Sequence, residues 1–233
     1  MSRENRLERF GHLPRLEPAL GTLPAEQRDL WPTLGDVPED FVLYGGTGLA
    51  LRLGHRASGD FDFFSPKHFI PTDLLARLAW LGRVTIGRSA PNTLELSTAG
   101  GVRFSFFGEM RLRTVAEPSI VDENGLVVAS IFDLAGTKAK AVLDRSEWRD
   151  YVDIATLLRH GQRLPDIIGY AATIFEPLFE FPAAAFLRAL VYFEEGTAPE
   201  VADDMRRELE AAVIDAAHAI IPVHEPYSES ISP

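Results

Sequence analysis

The sequence predicts an α+β protein, with a small mixed sheet in its N-terminal half and a helical C-terminal half. Three observations carry this prediction. Short runs rich in aromatic and β-branched residues, bounded by Gly, Pro, Asn or Ser, recur between residues 41 and 107. From about residue 130 the apolar residues recur at helical spacing instead. The charge changes with the pattern, since residues 46–149 carry a net +2 and residues 150–233 a net −10.

The first forty residues are punctuated by Pro14, Pro18, Pro24, Pro32 and Pro38, with one short helix expected near 25–31. An apolar strand, Phe41-Val42-Leu43-Tyr44, ends in a glycine pair, and 47–54 reads as a helix turning Leu49, Leu51 and Leu53 inward. The run 60–64 is the second strand, stopped by Ser65-Pro66-Lys67. Pro71 suits a first helical turn and opens a helix expected to reach residue 81, striped by Leu74, Leu75, Leu78 and Ala79. Strands are expected over 83–88, 93–97 and 102–107, the last two joined at Gly100-Gly101, and a further strand near 126–128 follows the Asn124-Gly125 turn. Helices are expected over 131–144, 147–160, 183–193 and 199–219, with a proline-broken stretch between the second and third and a loosely ordered tail after Pro222. Two domains result: residues 1–129, of which 1–40 form an irregular lead-in, and residues 130–233.

Composition narrows the chemistry. A chain of 233 residues with 46% hydrophobic content can bury a substantial core. No run of about 18 apolar residues is present, and the first residues lack an apolar targeting segment, so a soluble cytoplasmic protein with no membrane partner is expected. The absence of cysteine removes disulfides, thiolate metal sites and thiol nucleophiles together. Six scattered histidines, none in a His-x-His or His-x-x-x-His pair, argue against zinc chemistry. The overall charge of −11 speaks against a broad nucleic-acid-binding face, but the mildly basic middle leaves room for a polyanion held at one point.

The chemistry-bearing stretch runs from Gly45-Gly46-Thr47 across twelve residues to Asp60-Phe61-Asp62-Phe63-Phe64. On a strand, residues two apart share a face, which sets Asp60 and Asp62 side by side and Phe61 and Phe63 behind them. Adjacent carboxylates repel unless a cation lies between them, and hard oxygen donors suit Mg²⁺ or Mn²⁺. A glycine turn that can hold phosphate, facing metal-binding carboxylates, has the layout of a phosphoryl-transfer site. The alternative is an exposed edge strand bearing two solvated aspartates. In the helix over 131–144, Lys138 interrupts an apolar stripe of Ile131, Leu134, Ala135 and Val142, so it either meets an anion or snorkels to water. On the next helix, Asp150 and Asp153 lie one turn apart and can face one groove, although Arg149 and Asp153 have the spacing of an ordinary ion pair. Arg56 can neutralise phosphate charge or pair with Asp60, and Ser58 precedes the carboxylates closely.

Gly46-Thr47 with Asp60-Phe61-Asp62 resembles the signature of the DNA polymerase beta-like nucleotidyltransferase superfamily. More narrowly, Tyr44-Gly45-Gly46-Thr47-x-Leu49 and His55-Arg56-x-Ser58-x-Asp60-Phe61-Asp62-Phe63-Phe64 resemble the AbiEii/AbiGii toxin nucleotidyltransferases. The likeness continues through Phe132-Asp133-Leu134-Ala135-x-x-Lys138 to Arg149-Asp150-Tyr151-x-Asp153-Ile154, covering about residues 41–160. It implies a nucleotidyltransferase-like N-terminal domain whose cleft is completed by the helical domain. It also implies Asp60, Asp62, Lys138 and Asp150 as catalytic residues, Asp60 and Asp62 as metal ligands, and Gly45, Gly46, Thr47, Arg56, Ser58 and Lys138 as nucleotide contacts. The implied activity moves NMP from an NTP to an acceptor hydroxyl, with RNA (tRNA in particular) as acceptor and a cognate antitoxin as partner in a toxin–antitoxin or phage-defence pair. A protein-NMPylating enzyme and a degenerate nucleotide-binding module are the competing readings. One departure stands out. The superfamily draws a third carboxylate from a neighbouring strand, whereas the strand over 102–107 offers Ser105, leaving Glu95 or Glu109 to stand in.

Overall fold

The computed structural model describes residues 3–231. The chain divides into two compact units. The first comprises the chain up to Leu112, Glu117–Ser130 and the chain from Ser228 on; the second comprises Arg113–Ala116 and Ile131–Tyr227.

The first unit is built on a mixed sheet of seven strands: β1 (Val42–Tyr44), β2 (Asp60–Phe64), β3 (Val84–Ala90), β4 (Thr93–Thr98), β5 (Arg103–Phe107), β6 (Ser119–Ile120) and β7 (Val127–Val128). Their order is β3-β4-β5-β2-β1-β7-β6. The strand β2 lies in the middle, antiparallel to β1 and parallel to β5. One face of the sheet is apolar. Phe61, Phe63, Phe104 and Phe106 are fully buried and stack along and across β2 and β5, with ring centroids 5.1–6.5 Å apart. Leu94 and Leu96 extend that face onto β4, and Trp31, Leu34, Leu74, Leu78 and Leu81 complete the same core. Period-two alternation accounts for this, because the intervening residues of β2, β4 and β5 are half-buried or exposed.

Helices of this unit are α1 (Arg3–Arg9), α2 (Ala25–Leu30), α3 (Gly45–Leu53) and α4 (Pro71–Arg77). The helix α1 falls in the lead-in expected to be irregular, and the two-residue strand β6 is too short to leave a sequence signal. Arg52 near the end of α3 donates to the carbonyls of Ala129 and Val128 and to the Ser119 hydroxyl, tying α3 to β6 and β7.

The second unit holds α5 (Ile131–Asp144), α6 (Trp148–Arg159), α7 (Leu164–Phe175), α8 (Ala183–Leu190) and α9 (Asp203–Ala216). The stretch expected to be broken by proline is the helix α7. Pro165 sits in its first turn, where a missing N–H is harmless, and Pro177 falls beyond its end. Ten of its twelve residues are buried. Gly136 of α5 lets α7 approach closely: a Cβ there would stand 2.6 Å from Ile174 Cδ1 and 2.9 Å from the Ala171 nitrogen. The tail expected to be loose is anchored, with the Tyr227 N–H donating to Thr114 O at 2.8 Å and Ile231 buried. Among the described residues, no helix is long and apolar enough to cross a membrane.

Candidate active site

The chain leaves β1 at Tyr44 and enters α3 at Gly45 with φ +69°, a conformation glycine adopts without penalty. Space imposes the same choice, since a Cβ on Gly45 would stand 2.2 Å from Asp62 Oδ2. A Cβ on Gly46 would stand 2.7 Å from an Arg56 guanidinium nitrogen and 3.0 Å from Ser58 Oγ. The Thr47 hydroxyl donates to the backbone carbonyl of Asp60 at 2.5 Å, fixing the start of α3 against the start of β2. Gly45, Gly46, Thr47, Arg56, Ser58, Asp60 and Asp62 are thus brought together within the first unit. The N–H groups of the first turn of α3 have no partner within the helix, and the helix dipole adds positive potential there. An anion is favoured at that point, and the Asp62 carboxylate lies against it.

Asp60 and Asp62 share the polar face of β2, with Asp60 one-third exposed. Their lateral neighbours follow from register. Across the parallel β2–β5 pairing, Asp60 faces Arg103 and Asp62 faces Ser105. Arg103 donates to both oxygens of Asp60, Nε to Oδ1 at 2.6 Å and Nη2 to Oδ2 at 2.7 Å. Arg103, absent from the expected site, is therefore a basic partner of Asp60. Its one legible signal is the alternation Arg103, Ser105, Phe107 against Phe104 and Phe106, which assigns it to the polar face. Arg56 lies over Gly46 and donates to Ala57 O at 3.0 Å.

The same register places the candidate third acids. Glu95 of β4 pairs with Ser105 of β5, which pairs with Asp62 of β2, so the three share one row and one face. Two strand spacings, about 9.5 Å, separate the backbones of Glu95 and Asp62. The Glu95 carboxylate faces Arg88 at 3.8 Å. Glu109 lies past the end of β5, in a left-handed conformation (φ +52°), accepting from Asn92 Nδ2 at 2.7 Å. Among the described residues, no group of three or more His, Asp or Glu side chains is arranged to hold a metal ion.

Within the second unit, Lys138 does not snorkel. It is 5% exposed, and its ammonium contacts Asp150 Oδ1 at 2.8 Å and Asp153 Oδ2 at 2.7 Å. Arg145 Nε adds a bond to Asp150 Oδ2 at 2.8 Å. Both aspartates are fully buried, so the spacing of Asp150 and Asp153 does bring them to one point, and the anion Lys138 meets there is this pair. Asp153 accordingly faces Lys138, and Arg149 lies over the Trp148 ring at 5.7 Å. The cluster holds two acids and two bases, which is the balance burial of carboxylates demands. Nearby, Asp133 is also buried and accepts from the Val115 N–H at 2.6 Å.

The sequence pattern described as nucleotidyl transferase AbiEii toxin, type IV TA system, matches residues 33–222. The chain belongs to this family. It is a nucleotidyltransferase of the AbiEii toxin type. An uncharacterized protein of Aquifex aeolicus is 32% identical over 169 residues, which is 71% of this chain and 79% of that protein. Among solved structures, a candidate nucleotidyltransferase from H. pylori is similar at 18% identity and a TM-score of 0.49, covering 85% of this chain and 94% of its own. MenT4, a nucleotidyltransferase toxin from Mycobacterium tuberculosis, is similar at 16% identity and a TM-score of 0.42, covering 93% of this chain and 99% of its own. In this AbiEii-family chain, both the glycine turn with the two aspartates and the Lys138 cluster lie inside the matched span.

Proposed function

We propose that this AbiEii-family enzyme transfers NMP from an NTP to a hydroxyl at the end of an RNA, acting in the cytoplasm as the toxin of a toxin–antitoxin or phage-defence pair held in check by a cognate antitoxin. The observation that carries the reading is the close packing of Asp62, Arg56 and Ser58 into the space that side chains on Gly45 and Gly46 would fill, beside a second carboxylate on the same strand face. Such an arrangement offers backbone N–H groups and a guanidinium to phosphate oxygens, next to two hard oxygen donors.

The donor set fits a divalent ion. Mg²⁺ characteristically takes one or two carboxylates and completes its shell with water and substrate phosphates, and Asp60 and Asp62 share one strand face. Asp60 and Asp62 would hold Mg²⁺ or Mn²⁺, which supplies charge stabilisation for the reacting phosphates. The rest falls to the chain. The first turn of α3, with Thr47 fixed to Asp60 O, supports the phosphates; Arg56 and Ser58 line the same turn. The acceptor hydroxyl forms a bond to the α-phosphorus as the bond to pyrophosphate breaks, and positioning supplies most of the rate. For the second unit, we propose that Lys138 and Asp150 serve the same reaction. The acidity of residues 150–233 favours a compact RNA end, such as a tRNA acceptor stem, over a long duplex.

Incubating the protein with each α-labelled NTP, Mg²⁺ and total cellular RNA, beside Asp62→Ala, tests this. Nuclease-sensitive label that Asp62→Ala abolishes is the expected result. Protease-sensitive label identifies a protein acceptor instead, and no label from any NTP overturns the reading.

A further inference from the structure

We propose that Arg103 is a counter-ion that holds the Asp60 carboxylate while the nucleotide is absent and transfers to the triphosphate when metal and nucleotide arrive. Metal and nucleotide then bind as coupled ligands. The inference rests on the metal–triphosphate reading given above and adds to it a residue and a binding order.

The geometry carries the argument in three steps. First, Arg103 is paired with Asp60 by sheet register and by a two-bond fork, so both Asp60 oxygens already accept from a cation. A divalent ion approaching Asp60 must share its oxygens with the guanidinium and sit beside a like charge. Second, the Arg103 side chain is 64% exposed, and its Asp60 partner 33%. Arg103 can therefore swing without disturbing the apolar face formed by Phe104 and Phe106. A guanidinium released there needs a planar pair of oxygens, and a phosphate offers the same fork as a carboxylate. Third, the row beside Asp62 supplies Ser105 where another carboxylate would have strengthened the site for free metal. The coordination that Asp60 and Asp62 leave open is filled by triphosphate oxygens, which also receive Arg103. Free metal competes with Arg103, whereas metal arriving with nucleotide gives Arg103 a new partner. The device weakens the site for metal alone.

Mn²⁺ binding to the full chain tests this without relying on turnover. It is measured by electron paramagnetic resonance or calorimetry, with Mn²⁺ alone and with each α,β-methylene NTP. The proteins are wild type, Arg103→Ala, Arg103→Gln, Arg103→Lys, Asp60→Asn and the control Arg88→Ala, whose exposed pair with Glu95 lies on the same sheet. Without nucleotide, Arg103→Ala and Arg103→Gln bind Mn²⁺ about 3–10-fold tighter than wild type, the range set by a well-formed but exposed pair. Arg103→Lys falls between, and Arg88→Ala is unchanged. A nucleotide tightens Mn²⁺ binding more in wild type than in Arg103→Ala, and Mn²⁺ tightens nucleotide by the same factor. Equal or weaker Mn²⁺ binding in both neutral variants, with Asp60→Asn still weakening it, overturns the role of Arg103 and leaves the metal site standing. Mn²⁺ binding that never depends on Asp60, with or without nucleotide, overturns both.

Discussion

The Asp62 carboxylate occupies the space where a side chain on Gly45 would begin: a Cβ there would stand 2.2 Å from Asp62 Oδ2. The turn and the acid are thus matched parts of one feature. Gly82 provides an internal comparison, because it has the same φ of +69° and nothing within 4 Å of its Cβ position. With ψ −137°, Gly82→Ala is expected to cost about 1–3 kcal/mol through backbone strain alone and to keep full activity. Gly45→Ala should cost more and reduce nucleotidyl transfer about 100-fold, the loss that accompanies an ångström-scale misplacement of a reacting group. Thermal melts and NMP-transfer rates on the two variants decide this; equal behaviour would contradict it.

Ser105 stands laterally against Asp62, at the strand spacing of about 4.8 Å. Ser105→Asp adds a carboxylate to the row and is expected to tighten Mn²⁺ about tenfold in the absence of nucleotide, while lowering the melting temperature in EDTA through repulsion with Asp62. An unchanged Mn²⁺ affinity would mean that the row is not part of the metal site.

Lys138 contacts two fully buried carboxylates, and Arg145 supplies the second positive charge. Lys138→Met removes one of the two cations that balance this buried acid pair, at a cost of about 3–5 kcal/mol. The triple variant Lys138→Met, Asp150→Asn, Asp153→Asn removes the uncompensated charge and should regain most of that stability in urea melts. Its NMP-transfer activity is expected to stay lost. Recovery of activity with stability would assign the cluster to the fold alone.

Burial raises the pKa of the Tyr151 hydroxyl, whose proton is shared with the carbonyls of Ala189 and Tyr192 at 3.2 Å each. A folded state that keeps a proton the unfolded chain releases contributes stability below the ordinary tyrosine value of about 10, lost as pH rises through the folded pKa. Urea titrations between pH 8 and 11 should show wild type losing stability above about pH 10 more steeply than Tyr151→Phe.

Much of the site was legible because its signals are local. Parity along five residues sets Asp60 and Asp62 on one face, and the helical stripe around Lys138 marks a lysine facing inward. What was not legible depends on partners brought from elsewhere in the chain. Arg103 meets Asp60 only because β2 and β5 pair in parallel at that register, a choice made by Phe61, Phe63, Phe104 and Phe106 stacking on the opposite face. Asp150 and Asp153 meet Lys138 only once α5 and α6 are packed. The helix α7 was not legible because Pro165 in its first turn and Pro177 just beyond its end read as breaks.

The central claim is that Asp60 and Asp62 serve attack at the α-phosphorus of an NTP. The most direct measurement follows α-labelled and γ-labelled NTP in parallel with cellular RNA and Mg²⁺, using Asp62→Asn as control. The account predicts label in RNA from the α-position only, one pyrophosphate released per nucleotide added, and neither in Asp62→Asn. Transfer of the γ-label, or α-label incorporated equally by Asp62→Asn, would contradict it.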